Sequence, residues 1–142
     1  MTQENKELLI KDLSARLPYE VKFPMMTFDG VIKPYTLYSM SKDGKCYSSE
    51  GGYYPYIKDI KPYLFPMSSM TEEQKRELRQ MDAFINTFGK VCFAVYDEYG
   101  HDIIPTYEDA IRITNWLNKN HFDYRGLIEK GLALDATGLN IY

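Results

Sequence analysis

Apolar and polar positions change rhythm several times along the 142-residue chain. Leu9, Ile10, Leu13 and Leu17 fall within about 100° of arc at 3.6 residues per turn, with Lys6, Glu7, Lys11 and Asp12 largely outside it. That spacing predicts a short N-terminal helix. Pro18 stops it, because the residue before a proline is pushed out of the α region. From residue 20 to 64 the helical period is lost. The runs EVKFPMMTF, VIKPYTLYSM and CYSS alternate with Asp29-Gly30 and Asp43-Gly44, and Asp-Gly between β-favouring runs is a strong hairpin signal. Pro24 and Pro34 cannot donate ladder hydrogen bonds, so their strands should be edges or bulged.

The helical period returns at Thr71. Thr71 and Gln74 have the spacing of a capping box, and Glu72 and Glu73 suit a first turn. Leu78, Met81, Phe84, Ile85 and Phe88 make one apolar stripe that predicts a helix running to Gly89. KVCFAVYDEYG reads as a strand buried on both faces. Thr106 with Asp109 caps a third helix, whose inner face carries Ala110, Ile113 and Leu117 with Trp116 at its margin. Residues 122 to 132 are expected to form a last short helix. The fold class is therefore α+β: an N-terminal helix, a small antiparallel barrel-like sheet of short strands, then C-terminal helices packed with one further strand. The length suits one domain over 1–142, with a sheet-bearing part at 1–66 and a mainly helical part at 67–142.

Composition narrows the function classes. Hydrophobic residues make up 44 % and charged residues 26 %, as in an ordinary globular protein. The net charge is −3. Residues 1–19 are neutral, residues 20–70 carry +1 and residues 71–142 carry −4, so no segment has the basic surplus that phosphate neutralisation needs. No apolar run approaches the roughly 20 residues of a membrane span, and MTQENKELLIKDLSARL lacks the apolar stretch of a secretory signal. A soluble cytoplasmic protein without a membrane partner is expected. Cys46 and Cys92 fit reduced, buried thiols, and only adjacent strands would let them bond.

Three strings, DLSARLPYEVK (12–22), IKPYLFPMSSMTEEQKREL (60–78) and WLNKNHFDYRGLIEKGLALDA (116–136), cover 51 of the 142 residues. In these the chain resembles a family of short uncharacterised proteins encoded by gut Bacteroidales and by their phages and mobile elements. The resemblance implies a compact module and no particular activity. Where that family carries Gly this chain has Glu20, so the turn after Tyr19 must be made by a residue with a side chain.

Three stretches concentrate chemistry. In HFDYR, His121, Asp123 and Arg125 could be drawn as a base, an orienting acid and an anion clamp. They could equally join elements, with Asn120 or Asp123 as a cap, Phe122 as a filler, and an Arg125–Glu129 pair one helical turn apart. In YDEYGHD, Asp97, Glu98, His101 and Asp102 offer metal-ligating atoms, but their spacing matches no zinc or EF-hand template. The third is a set of seven of the thirteen tyrosines, between Tyr35 and Tyr63, interleaved with lysines. Tyrosine offers large contact area at low rotamer cost, so such a set can form a recognition face. Phosphate loops, nucleophile elbows, Cys-x-x-Cys pairs and His-Glu-x-x-His helices are lacking. No catalytic, cofactor or metal residue is assigned. The expectation is a non-catalytic interaction or accessory module that binds a protein or a second copy through Tyr35, Tyr38, Tyr53, Tyr54 and Tyr56, or through His121, Tyr124 and Arg125. A single-stranded nucleic-acid binder using Tyr and Lys, and an enzyme, stand as alternatives.

Overall fold

The computed structural model describes residues 1–48 and 55–142. Its elements in chain order are α1 (Gln3–Arg16), β1 (Lys22–Met26), β2 (Ile32–Met40), β3 (Cys46–Ser48), β4 (Tyr63–Leu64), α2 (Glu72–Gln80), β5 (Ala83–Ile85), β6 (Val91–Phe93), α3 (Tyr107–Lys119) and β7 (Leu134–Asp135). The fold is α+β. The chain divides into two compact units, the first made of 1–64 and 125–142, the second of 65–124. In sequence the second unit is an insertion into the first. Among the described residues no helix is long and apolar enough to cross a membrane.

The first unit sets α1 and an antiparallel sheet ordered β1-β2-β3 around one core containing Leu9, Leu13, Phe23, Leu37, Cys46 and Leu64. The expected barrel does not close. Among the described residues the sheet has three strands; β3 pairs with Leu37–Met40 of β2, and its Cys46 N–H donates to the Pro55 carbonyl. Both Asp-Gly turns form hairpins as expected. Gly44 (φ +88°) is required twice over, because a Cβ there would also lie 2.8 Å from Ile57 Cγ2 in the core. The returning tail adds β7, which pairs in parallel with β4 (Tyr63↔Leu134, Leu64↔Asp135). Tyr142 Oη accepts from the Lys22 N–H at 2.9 Å and donates to the Tyr63 carbonyl at 2.8 Å.

Helix α1 departs from its predicted stripe. Its buried positions are Leu9, Asp12, Leu13 and Arg16, a face spaced i, i+3, i+4, i+7 on which two of four residues are charged. Arg16 Nε donates to Asp12 Oδ2 at 2.7 Å and Arg16 Nη2 to Oδ1 at 3.1 Å, with both side chains fully buried. Arg125 Nη1 adds a third bond to Oδ1 at 2.9 Å. Arg125 therefore pairs with a helix 113 positions upstream, not with Glu129.

The second unit packs α2, the β5–β6 hairpin and α3 around Met67, Leu78, Ala83, Ile113, Leu117 and Phe122. Both predicted capping boxes are present, Thr71 with Gln74 and Thr106 with Asp109. The helix expected to reach Gly89 ends at Gln80. Asp82 adopts φ 58°, left-handed, and Ala83–Ile85 pairs with Val91–Phe93 across a turn in which the Gly89 N–H donates to the Asn86 carbonyl. The strand expected to be buried on both faces is short, and all three of its residues are only half-buried. The last predicted helix is also not formed. Residues 122–132 make successive turns, because left-handed backbone at Gly126 and Gly131 interrupts any helical run.

Glu20 adopts φ 57°, ψ 46°, the left-handed conformation that favours glycine. Glu20→Gly should raise stability by about 0.5–1 kcal/mol by relieving left-handed strain, whereas Gly44→Ala should lower it by about 1–3 kcal/mol. Urea unfolding curves of the two variants would show the opposite shifts. Asp12→Ala, which strands a buried guanidinium, should cost about 3–5 kcal/mol in the same measurement.

Candidate functional site

The HFDYR stretch is occupied with joining elements. His121, at φ 59°, follows the C-terminus of α3. Its N–H donates to the Asn118 carbonyl at 3.1 Å, and the Phe122 N–H donates to that of Leu117 at 3.0 Å. This pair of bonds is a Schellman cap, with histidine in the place usually held by glycine. Phe122 is buried and stacks on Trp116 with ring centroids 5.7 Å apart. The Asp123 N–H donates to the Phe65 carbonyl, and the Phe65 N–H donates to that of His121, each at 2.8 Å. Tyr124 Oη donates to Asn118 Oδ1 at 2.9 Å. His121, Asp123 and Tyr124 thus belong to the second unit, while Arg125 is committed to Asp12 in the first.

In YDEYGHD, Asp97 caps its own turn. Its Oδ1 accepts from the Tyr99 and His101 N–H groups at 2.9 and 2.8 Å, and its Oδ2 lies 3.1 Å from His101 Nδ1. Those backbone donors hold the carboxyl below the usual carboxylate range. The imidazole is 77 % exposed, and the Asp97 carboxyl borders an open cleft that Arg76, Arg79 and Asp82 also line. Among the described residues no three His, Cys, Asp or Glu side chains come together as a metal site.

The exposed apolar surface of the first unit lies on the β1–β2 hairpin. Bonds from Thr27 N–H to the Val31 carbonyl and from Leu37 N–H to the Val21 carbonyl fix the ladder's phase. Pairs Lys22↔Thr36, Pro24↔Pro34 and Met26↔Ile32 are then non-hydrogen-bonded, with side chains of each pair close together on the outer face. Phe23, Met25 and Tyr35 point the other way, into the core. Met26 is 68 % exposed and Ile32 62 %, Val31 is exposed, and Phe28 at the apex is fully exposed. The turn beneath Phe28 is held by Thr27, whose Oγ1 donates to Asp29 Oδ1 at 2.6 Å and accepts from the Val31 N–H at 3.3 Å. The same hydroxyl bond lowers the pKa of the Asp29 carboxyl.

In a non-hydrogen-bonded pair the backbone groups point outward from the hairpin. Pro24 and Pro34 share one such pair, so the outer donor is missing from both edges at the same level. One rung further along β1, the Lys22 donor is taken by Tyr142. The prolines and the tyrosine hydroxyl thus interrupt the hairpin's edges at these rungs.

The tyrosines divide. Tyr35 packs against the core. Tyr38 is 75 % exposed and sits where the β2–β3 register shifts between Leu37 and Ser39, as the extra residue of a bulge. Tyr56 is exposed and bridges to Lys45, whose ammonium lies 5.9 Å from the Tyr47 ring centroid. Tyr53 and Tyr54 lie outside the described residues. Met26, Phe28, Val31 and Ile32 were missed by sequence reasoning. The available signal was an apolar cluster around an Asp-Gly turn, where a solvated turn is normally polar. No family model matches the chain, and neither a curated protein nor a solved structure matches it.

Both cysteines are free thiols. Burial pushes the Cys46 thiol from its ordinary value of 9.0 up to about 11. The fold thus favours the neutral thiol; this stabilisation is complete below about pH 9 and lost as pH rises through about 11. Urea midpoints should fall more steeply over that window for the native chain than for Cys46→Ala. Equal slopes would show that the thiol carries no linkage.

Proposed function

We propose that the protein is a non-catalytic interaction module that binds another protein through the tip and outer face of the β1–β2 hairpin. One observation carries this reading: four apolar side chains, Met26, Phe28, Val31 and Ile32, stand exposed on a turn fixed by its own hydrogen bonds. Leaving them in water is unfavourable by about 25 cal/mol per Å² of apolar surface, so four exposed apolar side chains around one hairpin tip point to a contact. Preorganisation limits the ordering cost of binding, and a fully exposed aromatic at the apex is suited to filling a partner's pocket. The outer-face pairs carry a single Lys with Thr, two Pro, Met and Ile, and no Tyr, unlike the alternating Tyr and Lys expected of a base-stacking platform, and this favours a protein partner over single-stranded nucleic acid.

The test places a photo-crosslinking benzoylphenylalanine at position 28 and exposes the protein to extract of its native host. The expected result is one predominant crosslinked protein. An unlabelled competitor should suppress the crosslink, and a competitor carrying Met26→Ser, Phe28→Ser and Ile32→Ser should fail to. The substituted hairpin should keep its urea midpoint, because these side chains contribute no core contacts. No crosslink, or equal suppression by both competitors, sinks the reading. A crosslink to a second copy of the chain would also overturn it in favour of self-association.

A further inference from the structure

In the second unit the β5–β6 hairpin leaves one edge open. The Asn86 N–H donates to the Lys90 carbonyl and the Ala94 N–H to that of Asp82, so the alternation makes Ile85↔Val91 and Ala83↔Phe93 non-hydrogen-bonded pairs. The N–H and C=O groups of Val91 and Phe93 therefore point away from β5, and among the described residues nothing pairs with them. Successive residues of a strand face opposite sides, yet Val91, Cys92 and Phe93 all line one cleft of about 320 Å³, so the cleft runs along the strand's edge. Its opposite wall is a stripe of α3 (Ala110, Ile113, Thr114 and Leu117) at helical spacing i, i+3, i+4, i+7. Lys90 is the one charged residue among those lining it.

We propose that this cleft takes an extended segment of a partner protein, which adds as a strand to the open edge of β6. Its alternate apolar side chains enter against α3, and a carboxylate side chain lies toward Lys90. An apolar small molecule could fill the space but would leave four backbone groups unpaired, whereas an extended backbone supplies both donors and acceptors in register. The contrast with the first unit supports the assignment, since the hairpin edges there are interrupted by prolines and a tyrosine hydroxyl, and this one runs uninterrupted beside an apolar wall. The inference deepens the reading of the chain as an interaction module, at a second surface whose failure leaves the hairpin surface untouched.

The experiment selects displayed random heptapeptides on the full chain, with Thr114→Trp, which fills the cleft, as counter-selection. Enriched sequences made as labelled synthetic peptides should show alternating apolar residues with an acid, and should slow amide hydrogen exchange at Val91 and Phe93. Val91→Pro removes an N–H that the β5 ladder does not use, and should weaken binding about tenfold. Thr114→Trp should abolish it, and the triple hairpin variant Met26→Ser, Phe28→Ser, Ile32→Ser should bind unchanged. No enrichment over Thr114→Trp overturns the proposal. So does binding that both cleft variants preserve, or protection confined to residues 22–40.

Discussion

The first unit depends on one buried carboxylate. Asp12 accepts three N–H groups from two guanidiniums in a site closed to water, and its partners come from opposite ends of the sequence. Arg16 is one helical turn away on α1, while Arg125 is the first residue after the chain returns from the inserted second unit. A buried ion is costly to desolvate, and mutual attraction offsets that cost only when geometry and hydrogen bonding are good. Here both oxygens are engaged at 2.7–3.1 Å. Any arrangement that separates Arg125 from Asp12 loses one of the three bonds this buried carboxylate accepts. With the parallel β4–β7 pair and the Tyr142 hydroxyl bridge, the Asp12–Arg125 pairing brings the tail back to α1 and the first sheet.

The HFDYR stretch joins elements through a Schellman cap, an aromatic stack, two backbone bonds to Phe65 and a buried ion pair. The two units treat their edges in opposite ways. The first removes donors with Pro24 and Pro34 and displays side chains at a hairpin tip, whereas the second leaves the backbone of Val91 and Phe93 open beside the apolar stripe of α3.

The sequence by itself determined the local features. Hairpins at Asp29-Gly30 and Asp43-Gly44, capping boxes at Thr71 and Thr106 with the starts of α2 and α3, and the α+β class all rest on interactions within a few residues, and such interactions are written in spacing. Tertiary structure decided what spacing cannot encode. Asp12 looked solvent-facing by helical period, and its burial is offset by Arg16 one turn away together with Arg125, 113 positions away. The stripe from Leu78 to Phe88 fits a helix equally well, but pairing of Ala83–Ile85 with Val91–Phe93 outweighs the propensity once Asp82 turns left-handed. The hairpin tip and the open edge of β6 likewise become surfaces only after burial of everything else is settled. Exposure is a property of the whole packed chain, set by which residues other segments cover, and no local pattern fixes it.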